Sequence, residues 1–265
     1  MLFLNSCAST TSSPAIESTQ PATVPASSAT FATTTANVFH VEKIDYKLPD
    51  QIAEGIVIES TPESISAITN EPIPKHITMK LVNYSTESQF IAVLSIYLLD
   101  DVFEKPRRDA LQNIINNETS PQDYMDSINL FAAEDIKVRP QKLEFQNGSG
   151  VSYLYYWGVG PGIPVSNDRL VYQFDGITNN GRYYVTAQLP VNVPFLPDSI
   201  DLSSSEFVSP PSGAVPYPDF NDTNSIIEYD NTLRAQFREA AANTFTPSLE
   251  DLNAFIQSLL ILIKE

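Results

Sequence analysis

One hairpin constrains the fold of this chain more than any other stretch. Before its break Leu170, Tyr172 and Phe174 are apolar, while Arg169, Gln173 and Asp175 are polar, with Val171 the exception. After the break Tyr183, Val185, Ala187 and Leu189 are apolar, and Arg182, Thr186 and Gln188 are polar. Period-two alternation marks strands with one buried face. Asn180-Gly181 stands between them, and this pair favours a type I′ turn, whose central residues both take positive φ. A two-residue loop there sets Phe174 opposite Ala187, Tyr172 opposite Leu189 and Asp175 opposite Thr186. Apolar then meets apolar on one face, whereas a slip of one residue would oppose every apolar set to a polar one.

Residues 143–191 extend the hairpin into a meander of four antiparallel strands. Lys142-Leu-Glu-Phe-Gln146 alternates into Asn147-Gly-Ser-Gly150, a second turn. A two-residue loop at Asn147-Gly148 or at Gly148-Ser149 puts Leu143 and Phe145 on one face with Leu154 and Tyr156. Tyr153, Tyr155 and Trp157 then form an aromatic stripe on the other face. A three-residue loop would reverse that parity. Exposed, the stripe is a stacking platform for a sugar or peptide, which makes Tyr153, Tyr155 and Trp157 the candidate ligand-binding residues. Covered by a helix, it is a second core.

The flanking sequence supplies further elements. Residues 55–59, 76–84 and 90–99 read as strands, the last so apolar that both its faces should be covered. Leu111, Ile114 and Ile115 sit at helical spacing behind Pro106, and Ser120-Pro121 opens another short turn or helix. Ser225 with Glu228 forms a capping box ahead of Ile226, Leu233, Phe237 and Ala240. Thr246-Pro247 opens a last helix whose apolar stripe runs from Leu249 to Ile263. The expected class is α+β: an antiparallel meander sheet with flanking helices, two of them amphipathic and near the C-terminus, in one domain over residues 38–265.

A net charge of −17 argues against nucleic acid and against electrostatic docking on an anionic membrane, both of which need clustered Lys and Arg. It suits a soluble surface or a cationic partner. No apolar run approaches the ~20 residues of a membrane span. The lone cysteine, Cys7, excludes an intramolecular disulfide. Leu4-Asn5-Ser6-Cys7 resembles the end of a bacterial lipoprotein signal peptide, although the positive n-region is missing and the apolar region is short. Residues 1–7 therefore read as a truncated signal remnant and Cys7 as the lipidation site. Residues 8–37 are rich in Ser, Thr, Pro and Ala, with Glu17 their only charge, and read as a disordered tether.

Catalytic signatures are scarce. His40 and His76 lie in no recognisable motif, and His76, at a strand start, reads as a surface residue. Asp219, Asn221, Thr223 and Asp230 fall at positions 1, 3, 5 and 12 of an EF-hand-like loop, but Asn224 replaces the glycine and Asp230 the terminal glutamate. No cofactor is implied. The function expected is an extracytoplasmic, lipid-anchored binding or interaction module. The alternatives are a secreted glycan- or peptide-directed hydrolase using dispersed carboxylates, and a structural cell-envelope protein.

Phe145-Gln-Asn-Gly-Ser-Gly-Val151 and Tyr172-Gln-Phe-Asp-Gly-Ile-Thr-Asn-Asn-Gly-Arg-Tyr-Tyr-Val185 resemble motifs of a family of bacterial lipoproteins without an established activity. The resemblance covers most of residues 38–265. It implies a low-complexity tether joined to one α+β domain, and no site residues. At the level of fold alone, the pattern is similar to the Mog1/PsbP-like domains.

Overall fold

The computed structural model describes residues 27–30, 41–66, 70–102, 105–127, 136–158, 163–200 and 209–263. In chain order the first strands are β1 Ser27–Thr30, β2 Val41–Tyr46, β3 Gly55–Thr61, β4 Ser64–Ile65 and β5 Pro72–Ile73. Then come β6 His76–Val82, β7 Val93–Leu98, α1 Leu99–Val102, α2 Lys105–Ile115 and α3 Pro121–Ser127. The meander follows as β8 Ile136–Phe145, β9 Gly148–Tyr156, β10 Leu170–Thr178 and β11 Tyr183–Pro190. The chain ends in α4 Thr223–Glu239, α5 Leu249–Gln257 and β12 Leu260–Ile263. The fold is α+β, as expected.

Seven strands form the main antiparallel sheet, in the order β3-β6-β7-β11-β10-β9-β8. The meander keeps its sequence order, and β11 joins it to β7 through antiparallel pairs such as Thr186 with Ser95. The hairpin register is the expected one, with Phe174 opposite Ala187, Tyr172 opposite Leu189 and Asp175 opposite Thr186. Its turn differs. Gly181 takes φ +67° while Asn180 does not take a positive φ, and the Gly181 N–H donates to the Thr178 carbonyl. Side chains explain why: Asn180 Oδ1 accepts from the Arg182 N–H and Thr178 Oγ1 from the Tyr183 N–H, so local polar groups cap the loop.

The second hairpin turns at residues 146–147, earlier than either expected pair, because Phe145 lies opposite Gly148. Parity survives, since the pairing remains odd with even. Leu143, Phe145, Leu154 and Tyr156 enter the main core, while Tyr153 and Tyr155 enter a second one. Close approach of β9 and β10 requires the glycine pair Gly150 and Gly176: a Cβ on Gly150 would lie 2.1 Å from the Asp175 carbonyl oxygen.

The main core fills the inner face of the sheet. Met79, Leu94, Ile96, Phe174 and Val185 pack there with Leu233 and Phe237 of α4 and Leu252, Phe255 and Ile256 of α5. Arg139 ties α4 to the sheet. It sits in a bulge of β8 at φ +59° and donates from Nη1 to the carbonyls of Phe237 (3.0 Å) and Arg238 (3.4 Å), where a cation suits the helix dipole.

Both C-terminal helices start differently from the sequence reading, and the second also stops earlier. Asp222 caps α4 by accepting from the Asn224 N–H, and Ser225 instead accepts from the Asp219 N–H. Helix α5 is capped by Ser248 and ends at Gln257, and residues 260–263 form β12 rather than more helix. The Leu-Ile-Leu-Ile run alternates, with Ile261 buried and Leu262 exposed, so period two governs it. β12 pairs with β2, and β1 pairs with the other edge of β2. Residues 27–30 thus form a strand inside the tract read as a tether, and the rest of that tract, with Cys7 and His40, lies outside the described residues.

On the outer face, α2 and α3 pack over β8, β9 and β10. Leu111, Ile114, Tyr124 and Met125 cover Val151, Tyr153, Tyr155, Val171 and Ile177. Ser120 and Asp123 form a reciprocal capping box at the start of α3. The Ser120 backbone N–H at the Asp123 carboxylate lowers its pKa. The β3–β6 end of this face is more open, and Val57 is half-exposed there beside the Glu59–Lys80 ion pair.

Candidate functional site

Where the outer helices stop, the sheet carries a cavity of about 340 Å³. Its floor and walls come from alternate residues of four adjacent strands: Ser95 and Tyr97 of β7, Tyr184 and Thr186 of β11, Gln173 and Asp175 of β10, and Tyr153 and Tyr155 of β9. Trp157 continues the β9 series at the rim. Period two makes this possible, because the same strands send their other side chains into the main core.

Asp175 organises the site. It is 1% exposed, and five donors converge on it. Tyr124 Oη (3.3 Å) and Tyr153 Oη (3.0 Å) donate to Oδ2. Gln173 Nε2 (3.2 Å), Thr186 Oγ1 (3.1 Å) and the Tyr184 hydroxyl donate to Oδ1. A carboxylate offers about four lone-pair sites, so its acceptor capacity is filled. Burial, and then the Asp175 charge beside it, push the Tyr153 phenol well above the usual tyrosine value. Among the described residues, Asp175 is the one acidic group lining the cavity, and no Lys or Arg lines it.

Aromatic rings form the walls. Trp157 meets Tyr155 edge-on at 5.3 Å and Phe90 at 5.7 Å between centroids. Tyr97 stacks on His76 at 4.4 Å and lies 6.1 Å from Tyr184. His76 is therefore not a surface residue: it is buried under Tyr97, with Nδ1 bonded to the Pro74 carbonyl at 2.8 Å.

The three aromatic residues singled out in the sequence all line this cavity, but unequally. Tyr153 and Tyr155 are each 3% exposed, whereas Trp157 is 43% exposed. The stripe is a second core along its helix-covered length and a cavity wall at its end. By alternation alone Asp175 is only a polar strand residue. The available signal was its parity, which puts a carboxylate mid-strand on the same face as Tyr153 and Tyr155.

The EF-hand-like set does not form a loop. Asp219 and Asn221 precede α4, with Asp219 Oδ1 accepting from the Asn221 N–H, while Thr223 and Asp230 stand within the helix, where residues rise ~1.5 Å each. Among the described residues, no three His, Cys, Asp or Glu side chains are grouped to hold a metal ion. Set against protein-family models, curated proteins and solved structures, the chain matches none of them.

Proposed function

We propose that the chain is an extracytoplasmic, lipid-anchored binding module with the outer-face cavity as its ligand seat. One observation carries the reading: Asp175, the one acidic residue lining the cavity among the described residues, has both oxygens occupied by donors. Glycoside hydrolysis by the usual route needs two carboxylates about 5–10 Å apart, each able to give or take a proton or attack the sugar. A saturated, single carboxylate is suited to neither role, whereas an aromatic-walled cavity with a fixed polar floor is suited to holding a ligand. The anchor rests on Leu4-Asn5-Ser6-Cys7 and the Ser/Thr/Pro/Ala-rich tract behind it, whose only charge is Glu17.

A small-molecule library screened by ligand-observed NMR against wild type and Trp157→Ala tests the seat, with glycan and peptide turnover assays run beside it. Ligands that bind wild type and lose affinity in Trp157→Ala are expected. Turnover of any substrate, or hits indifferent to Trp157, overturns the reading. Mass spectrometry of Cys7 in membrane fractions tests the anchor, and an unmodified Cys7 in the mature protein removes it.

A further inference from the structure

Three features of the cavity select among ligands. The first is charge. Asp175 puts an acidic group on the floor, and among the described residues no Lys or Arg lines the cavity to neutralise it. The second is saturation. With about four lone-pair sites met by five donors, Asp175 offers a ligand its field but no vacant acceptor. Asp175 therefore gives a sugar hydroxyl or a peptide N–H no acceptor of its own, and gives a metal ion no bare oxygen lone pair. A cation without N–H donors needs neither. The third is the wall: Tyr97, Tyr153, Tyr155, Trp157 and Tyr184 surround the floor, and aromatic faces attract weakly hydrated cations.

We propose that the cavity binds a small organic cation bearing a quaternary ammonium head, held by the rings of Tyr97, Tyr155, Tyr184 and Trp157 above the charge of Asp175. This deepens the binding-module reading and rests on it. The five donors preorganise the carboxylate, so the ligand has no side chain to reorder there. Trp157, partly exposed at the rim, offers the outermost ring to the head group. The net charge of −17 adds a long-range attraction for the same ligands.

Choline and its neutral isostere 3,3-dimethylbutan-1-ol have the same shape and differ in the charge, so the pair isolates the claim. Both are titrated into the full chain, followed by calorimetry and by the fluorescence of Trp157, the single tryptophan. Choline is expected to bind saturably with a Kd below about 1 mM and at least about ten-fold more tightly than the isostere. Asp175→Asn should remove most of that preference. Should that variant fail to fold, Trp157→Leu, at a 43% exposed position, keeps the test: choline affinity should fall about 3- to 30-fold by calorimetry. Equal binding of choline and isostere overturns the cation class and leaves the binding module standing. Choline binding indifferent to Trp157→Leu overturns the site. No choline binding overturns the inference, and the library screen then decides separately whether the cavity binds another class.

Discussion

Replacing Asp175 by Asn tests the network on which the site stands. The substitution keeps the shape and removes the charge. Oδ1 still accepts from Gln173, Thr186 and Tyr184, but as a neutral acceptor, and charge-assisted bonds are roughly twice as strong as neutral ones. Oδ2 becomes an NH₂ group facing the Tyr124 and Tyr153 hydroxyls, both on residues no more than 3% exposed. Each hydroxyl can rotate to accept, but its own proton then loses its partner. At about 1–3 kcal/mol per buried donor left unpaired, plus weakened bonds to Oδ1, the loss comes to about 3–5 kcal/mol. That is a large part of a total stability of about 5–15 kcal/mol. Opposing it is the desolvation of a buried charge, which the variant relieves. The bonds are expected to win because all five donors are already aimed at the carboxylate. Urea unfolding followed by far-UV circular dichroism should show a lower midpoint at unchanged m, and a Tm lower by about 6–20 °C. A double-mutant cycle with Tyr153→Phe should give a coupling of at least about 1 kcal/mol. A variant as stable as wild type, or more so, would show desolvation outweighing the hydrogen bonds and refute the reasoning.

Three other measurements probe the frame around the site. Gly150→Ala places a Cβ 2.1 Å from the Asp175 carbonyl oxygen, which is backbone and cannot yield cheaply, so a loss of about 2–4 kcal/mol in urea unfolding is expected; a neutral result would mean that β9 and β10 can part locally. Asn147→Ala removes the side chain that donates to the Ile261 carbonyl at 2.7 Å and accepts from its N–H at 3.1 Å. It should cost about 1–3 kcal/mol and raise amide exchange in β12 first; unchanged exchange there would dismiss the clamp. Burial raises the phenol pKa of Tyr84, Tyr153, Tyr172 and Tyr229. Their folded values lie above the unfolded value near 10, so the stability they contribute is whole below about pH 10 and falls as pH rises above it. Tyrosinate absorbance should therefore appear from these residues only together with unfolding, and their titration in the folded chain near pH 10 would contradict their burial.

Local pattern carried the sheet further than it carried the site. The face parity of both hairpins follows from alternation, because burial of Phe174, Tyr172 and Leu143 penalises one-residue slips. Only the first hairpin takes the expected register; the second differs by an even shift that parity does not exclude. The turn forms did not follow, since Thr178 and Asn180 decide one of them through side-chain bonds that periodicity does not carry. Residues 260–263 read as helix because they continue the apolar stripe of α5, and pairing with the distant β2 makes them strand. The candidate site shows the same limit. Tyr153, Tyr155 and Trp157 were legible as a stripe. Asp175 was not legible as its centre, because Tyr124 reaches it from 51 residues away and Tyr184 arrives on a different strand.

The small sheet of β1, β2 and β12 also has a consequence for the order in which the chain assembles. Lys47, just after β2, accepts and donates through its backbone to Ser258, a separation of 211 residues. During synthesis β2 therefore exists long before β12, its later partner. Its inward residues, Ile44 and Tyr46, have no complete bed until α5 and β12 arrive. Most strands of the main sheet can pair with near neighbours as they emerge, the β7–β11 joint excepted, whereas this seam waits for the last strand of all. Contacts of such separation slow folding. In return they bind the earliest and latest parts of the domain to one another, so that fraying at either costs the other its partner.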